Sequence, residues 1–292
     1  MEKIDKIIFG DNQFFGINHM SQEKAQQLAQ KFYDVENIYK VYDLAFANGI
    51  NAVMLNSNER AIEICEHFRQ NKAKYGDIAW YPSLPYAHKY ANMVAEKGIF
   101  PTIYDVIFRD NTAGGVLGMV AKGGLAVLGK DAVKMMQMLV DAEAKMFRGL
   151  NMKVLFLQNI ITDLLLGYDF KELFCAYAEY VRKKYGVLPG FVTQNMPYLK
   201  KKFEEWGIEE VVICSSINKI GYLMSPGVDV YVDTINSNDP TKYQLMAMST
   251  MASGAIRAKE AYDFINSLPL QSVVFGASQE KNIRETVSLI HL

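Results

Sequence analysis

The chain has 292 residues, half of them hydrophobic, with 31 basic and 32 acidic residues and a formal net charge of -1. That balance excludes the basic excess that a nucleic-acid or anionic-membrane partner would require. Its three cysteines, Cys65, Cys175 and Cys214, are widely spaced with no CxxC pair, which argues against zinc fingers and disulfide frameworks and for a reducing, cytoplasmic setting. No run approaches the roughly 18 apolar residues of a membrane span, and residues 1–13 lack a signal-peptide core.

In chain order, short apolar runs recur at residues 6–10, 52–57, 78–83, 153–159, 190–195, 211–216, 243–250 and 272–278. Each is followed by polar residues and, in most cases, a helical pattern. Continuous apolar runs suit parallel strands buried on both faces. Eight of them, alternating with helices, predict an α/β fold, a (β/α)8 TIM barrel, spanning 1–292 as one domain. Val35, Ile38, Val41, Tyr42 and Ala45 form one helical stripe that Gly49 stops. Asp131 is the expected N-cap of a helix ending at Gly149, and Asp169 opens another that Gly186 closes. Between strands 3 and 4 lies a helical, glycine-rich insertion at about residues 87–130. A connection of that length is a lid, a binding loop or an added helical hairpin.

Gly124, Gly129 and Lys130 match the GxxxxGK of a phosphate-binding loop, but Asp131 stands where Ser or Thr would hold magnesium, and no buried strand precedes them. The four histidines show no HxH or HExxH spacing, so no metal site is assigned.

The strand ends carry more. Barrel active sites form at the carboxyl ends of the strands. The residues there are Asn12, Gln13, Asn56, Gln158, Asn159, Gln194 and Asn195, a rim of amides suited to a small polar or carbonyl-bearing ligand. Asn favours turns and caps, which accounts for part of the set; Gln has no such role. The acid–base candidates are Asp11, His19, Tyr81 and His88, with Asp11 or His19 as base and Tyr81 as proton donor. Trp80 is expected near the same rim.

Over most of its length, in order, the chain resembles the aldo-keto reductases. "YQLMAMSTMASGAI" is similar to their seventh strand and loop, and "SVVFGASQEKNIRETV" to their eighth strand and the helix that grips the 2'-phosphate of NADPH. "LAFANGINAVMLN" and "AEAKMFRGLNMKVLFLQN" resemble the approaches to their second and fourth strands. The resemblance implies a barrel oxidoreductase with NADP as cofactor, and cofactor contacts at Ser249, Gly276, Ala277, Ser278, Asn282 and Glu285. It also implies a catalytic Asp, Tyr, Lys and His. Carried over, the Asp position falls on or near Met54, the Lys position within Tyr81–Ser83 and the His position on Gln158, with no Tyr at the expected distance. The first expectation is therefore an enzyme whose chemistry differs from tetrad carbonyl reduction. The alternatives are an NAD(P)H-dependent oxidoreductase with a rearranged site, and a non-catalytic barrel that binds a metabolite or a partner through residues 114–129. A homo-oligomer is compatible with all three.

Overall fold

A computed structural model of the chain describes residues 1–15, 22–86 and 129–292. The expected barrel is present. Strand β1 (Ile7–Phe9) pairs with β2 (Ala52–Asn56) on one side and with β9 (Ser272–Phe275) on the other. From β2 the ring continues through β3 (Ala79–Leu84) to a fourth position in two pieces, β4 (Asn151–Met152) and β5 (Val154–Leu157). It then passes through β6 (Leu188–Thr193), β7 (Val211–Ser216) and β8 (Tyr243–Met248) back to β9. Every pairing is parallel, and the β2–β3 contact closes the ring.

Closure makes the alternation of side chains decisive. Ile8, Met54, Tyr81, Phe156, Cys214 and Met246 share one buried cluster inside the barrel. Their sequence neighbours Phe9, Leu55, Trp80, Leu157, Ile213 and Leu245 belong to a second cluster, between the strands and the helices. Both faces are apolar, which is why the strands read as continuous hydrophobic runs. Gly190 is needed inside: a Cβ there would lie 2.4 Å from Phe156 Cδ1 and 2.7 Å from Val154 Cγ1.

The helices follow the sequence with small shifts. The helices are α1 (Gln22–Lys31), α2 (Val35–Ala47), α3 (Ala61–Gln70), α4 (Lys72–Tyr75) and α5 (Gly129–Ala144). After β5 come α6 (Asn159–Gly167), α7 (Lys171–Tyr185), α8 (Met196–Trp206), α9 (Val228–Asn236), α10 (Ala258–Asn266) and α11 (Glu280–Leu289). Asp34 caps α2 by accepting the Glu36 N–H at 3.0 Å, and Ile38, Val41, Tyr42 and Ala45 are buried as the stripe predicted. Asp131 is not the cap of α5, which begins two residues earlier at Gly129. Asp169 does not cap α7 either; it takes a left-handed conformation (φ 57°) and pairs with Lys202 at 2.8 Å. Residues 87–128, most of the expected insertion, lie outside the described residues, as do Gly114 and Gly124.

One end of the barrel is shut by the start of the chain. The Ile4 N–H donates to Gln244 Oε1 at 2.9 Å, Gln244 Nε2 donates to the Glu2 carbonyl at 2.6 Å, and Ser272 Oγ donates to the Asp5 carbonyl at 2.7 Å. These contacts lie at the amino ends of β8 and β9, leaving the carboxyl ends as the mouth. Among the described residues no helix is long and apolar enough to cross a membrane.

Candidate functional site

Continuing the alternation one step beyond the apolar interior gives the floor of the mouth. Past Met54, Tyr81, Phe156, Val192 and Cys214 the inward positions are Asn56, Ser83, Gln158, Gln194 and Ser216, while β8 keeps an apolar residue, Met248, past Met246. Gly10 and Gly276, beyond Ile8 and Val274, stand at the same level with no side chain. The change from apolar to polar at one level is what a small polar ligand requires. Ser216 is fully buried, and its Oγ has no hydrogen-bond partner. An unpaired buried hydroxyl is costly, so this one is a position where a ligand atom would gain.

Asp11 follows β1 and is 3% exposed. Its Oδ2 accepts the Asn56 main-chain N–H at 2.8 Å, and its Oδ1 accepts Asn56 Nδ2 at 2.7 Å. Asn56 Oδ1 in turn accepts Gln158 Nε2 at 2.9 Å. Thus three expected site residues, from β1, β2 and the fourth barrel position, form one chain. Burial pushes the Asp11 carboxyl up to about 6, against the opposing effect of its bonds from Asn56. Gln158 is the N-cap residue of α6 but makes no capping bond with its side chain. Its amide is turned to Asn56 instead.

The remaining amides divide. Gln13 is buried; its Nε2 donates to the Gly10 carbonyl at 2.8 Å, and its Oε1 has no partner. That oxygen lies across Gly276, 2.0 Å from where a Cβ would be, so any side chain there would displace the Gln13 amide. Asn12 is exposed, and Asn159 is the partly buried first residue of α6. Asn195 is a helix cap: its Oδ1 accepts the Tyr198 N–H at 3.3 Å at the start of α8. Gln194 is fixed by its backbone, with its N–H donating to Asp163 Oδ2 at 3.0 Å and its carbonyl accepting Tyr231 Oη at 3.0 Å and the Ser225 N–H at 2.9 Å. Asp163 also accepts from Thr193 Oγ1, and burial raises its carboxyl. Sequence reasoning passed over Asp163 and Tyr231. Asp163 and Tyr231 lie in helices and reach the rim only once the strands are assembled, so no local signal marks them.

Tyr81 is corrected. Its side chain points into the barrel but toward the closed end, where its Oη donates to Asp5 Oδ2 and accepts the Asp5 N–H at 2.9 Å. It is no proton donor at the mouth, because it sits one inward step below Ser83. Trp80 is likewise away from the rim, outside the barrel, with its ring 5.1 Å from that of Phe68. His19 and His88 lie outside the described residues. Among the described residues no group of three His, Cys, Asp or Glu side chains is arranged to hold a metal ion.

The expected cofactor residues lie where β8 and β9 end. Gly276 is exposed, Ala277 and Ser278 partly so, and Asn282 and Glu285 are exposed on α11. Ser249 is left-handed (φ 53°), as are Ala252 (φ 48°) and Ser253 (φ 58°), a rare run of non-glycine residues in that region. The loop's own bonds hold it, Ala252 N–H to the Ser249 carbonyl at 2.9 Å among them. At the Gly276–Ser278 turn the charges are mixed: Glu280 opens α11 with a carboxylate that disfavours a phosphate, whereas Lys31 Nζ, which gives one hydrogen to the Ser278 carbonyl at 2.9 Å, adds a positive charge.

A closed parallel barrel with its polar residues at the carboxyl ends defines the class. Within it, the fold is that of the aldo-keto reductases. The chain is similar to an enzyme from Pseudomonas aeruginosa assigned as an aldo-keto reductase (9% identity, TM-score 0.60, 98% of this chain and 89% of that one). It is also similar to a Bombyx mori aldo-keto reductase solved with NADP (9%, 0.57, 100% and 85%) and to the aldose reductase of Schistosoma japonicum (10%, 0.54, 100% and 88%). No sequence-family model matches the chain, and no curated protein matches it in sequence.

Proposed function

We propose that this protein is an enzyme that binds a small polar or carbonyl-bearing metabolite on the floor of the barrel mouth and exchanges a proton with it through Asp11. The observation that carries the reading is the buried Asp11 carboxyl, pushed up to about 6 and bonded to Asn56, whose amide meets Gln158. A group titrating close to neutral pH is the kind that both takes and gives a proton at little cost. The Asp11 oxygens accept two bonds from Asn56 and one from the main-chain N–H of Asp11 itself, which leaves acceptor capacity for one substrate hydrogen. Gln158 and Ser216 supply polar contacts, Gln194 is held in place for another, and the apolar interior beneath excludes water.

An NAD(P)H-dependent reaction is the second reading. It draws on the fold, since a barrel of this kind binds NADP in the Bombyx mori enzyme. The carboxylate of Glu280 at the start of α11 weighs against it.

Calorimetric titration separates the two. A panel of hydroxy- and keto-acids, sugars and their phosphates is screened against the protein by thermal shift, and NADPH is titrated alone. Binding of a panel member that Asp11→Asn or Ser216→Ala weakens at least tenfold supports the proposal. NADPH binding that both variants leave intact, with no panel member bound, favours the reductase. Neither ligand class binding would sink both.

A further inference from the structure

Two neighbouring strands bring no side chain to the floor of the mouth, and a residue from another element fills the space. Past Ile8 and Val274 the inward positions of β1 and β9 are Gly10 and Gly276. Gln13 lies in the 3-10 turn Asn12–Phe15 that follows β1, and its side chain folds back over them. Its Oε1 lies 2.0 Å and its Cδ 2.9 Å from where a Cβ of Gly276 would be, so the amide stands where β9 would place a floor side chain of its own. Its Nε2 donates to the Gly10 carbonyl at 2.8 Å. That bond fixes the amide's orientation, because the reverse would set two oxygens against each other. Gln13 is 8% exposed, yet its Oε1 has no hydrogen-bond partner. A buried carbonyl oxygen left unpaired is costly, and a ligand that donates a hydrogen to it removes that cost.

The surroundings make the same demand. Asp11, from the same segment, adds a carboxyl group with acceptor capacity for one hydrogen. The inward floor positions Asn56, Ser83, Gln158, Gln194, Ser216 and Met248 include no Lys, Arg or His, and no cation contributes to the charge environment of Asp11. Lys31 is exposed further out, on the Ser278 carbonyl. A carboxylate or phosphate beside Gln13 would bring acceptors to an acceptor and negative charge to Asp11.

We propose that Gln13 is a specificity-determining residue: its Oε1 takes an uncharged O–H or N–H donor of the substrate, and so selects neutral hydroxyl- or amide-bearing molecules over carboxylates and phosphates. This narrows the substrate class of the mouth and rests on reading the mouth as a ligand site. Ser216 of β7 stands on the other side of Met248 from the β9 position that Gln13 fills. Its unpartnered hydroxyl both donates and accepts, so it adds affinity without choosing. The choice falls to Gln13, whose anchored amide only accepts there.

Matched pairs test this in the full chain: lactamide against lactate, and dihydroxyacetone against its phosphate. Each is titrated by NMR into the wild type, Gln13→Met and Gly276→Ala. Methionine keeps the length of the side chain and removes both polar atoms of the amide. Gly276→Ala leaves Gln13 in place and displaces its amide; position 276 is not left-handed, so alanine adds no backbone strain. Two variants that reach one amide by different routes separate selection from a folding defect, and urea unfolding checks that each is folded. In the wild type the neutral member of at least one pair is expected to bind about tenfold or more tightly than its anionic partner. Both variants should lose most of that preference by weakening the neutral member, and this result supports the proposal. An anionic member that binds the wild type as tightly as its neutral partner, and that Ser216→Ala weakens, overturns it while leaving the mouth a ligand site. A preference that survives Gln13→Met also overturns it. No binding by any of the four compounds, nor by any member of the wider panel, overturns the ligand site and the selection together.

Discussion

Asp11 is a carboxyl group that water barely reaches, and its ionisation opposes folding. Its pKa is raised on folding from 3.8 to about 6. A raised acid binds its proton more tightly in the folded chain, so its stabilising effect is complete below about 3.8 and is lost as the pH rises through about 6. The difference of some two pH units corresponds to about 3 kcal/mol. Asp11→Asn, which cannot ionise and can still pair with Asn56, should therefore be more stable than the wild type at pH 8 by up to about 3 kcal/mol. The gain should vanish near pH 4. Urea unfolding at the two pH values checks this, and equal differences at both would contradict it. Tyr81 shows the opposite case, a polar group with a purely structural task. Tyr81→Phe removes the bonds to Asp5 at the closed end and should cost about 1–2 kcal/mol. Ligand affinity at the mouth should be unchanged by titration.

Among the elements, the strands do two jobs, sealing the interior and aiming the floor residues. β6 illustrates the first. Gly190 stands where Phe156 fills the interior, with no space for a methyl group. Gly190→Ala should destabilise by about 1–3 kcal/mol, seen as a lower urea midpoint at unchanged slope. The carboxyl end of the same strand illustrates the second. Thr193 and Gln194 are held by Asp163 of α6 and by Tyr231 of α9, so helices on either side of the strand set the position of one rim amide. Strand positions were legible because buried parallel strands are apolar on both faces. Helix starts were less so: Asp131 and Asp169 carry the right side chain for a cap, but α5 already includes Gly129 and α7 starts at Lys171.

At the scale of the whole molecule, closing the ring makes one end a seal and the other a cup. Gln244 anchors the seal by accepting the Ile4 N–H and donating to the Glu2 carbonyl. Gln244→Ala should loosen residues 2–5 without opening the barrel. The Ile4 amide should then exchange with solvent roughly 5–30-fold faster, the equivalent of one to two kcal/mol, while amides within β7 keep their protection. The sequence by itself determined the eight strands, their parallel order and the presence of amides at their carboxyl ends, because burial on both faces and turn chemistry are local properties written residue by residue. It placed Asn56 and Gln158 at the site for that reason. Only the tertiary structure decided which way each side chain points. It put Tyr81 below the floor, made Asn195 a cap, brought Asp163 to the rim, and joined Asp11, Asn56 and Gln158 into one hydrogen-bonded chain. Residues 45 and 102 positions apart in the chain meet only when the ring closes, and no local pattern encodes that distance.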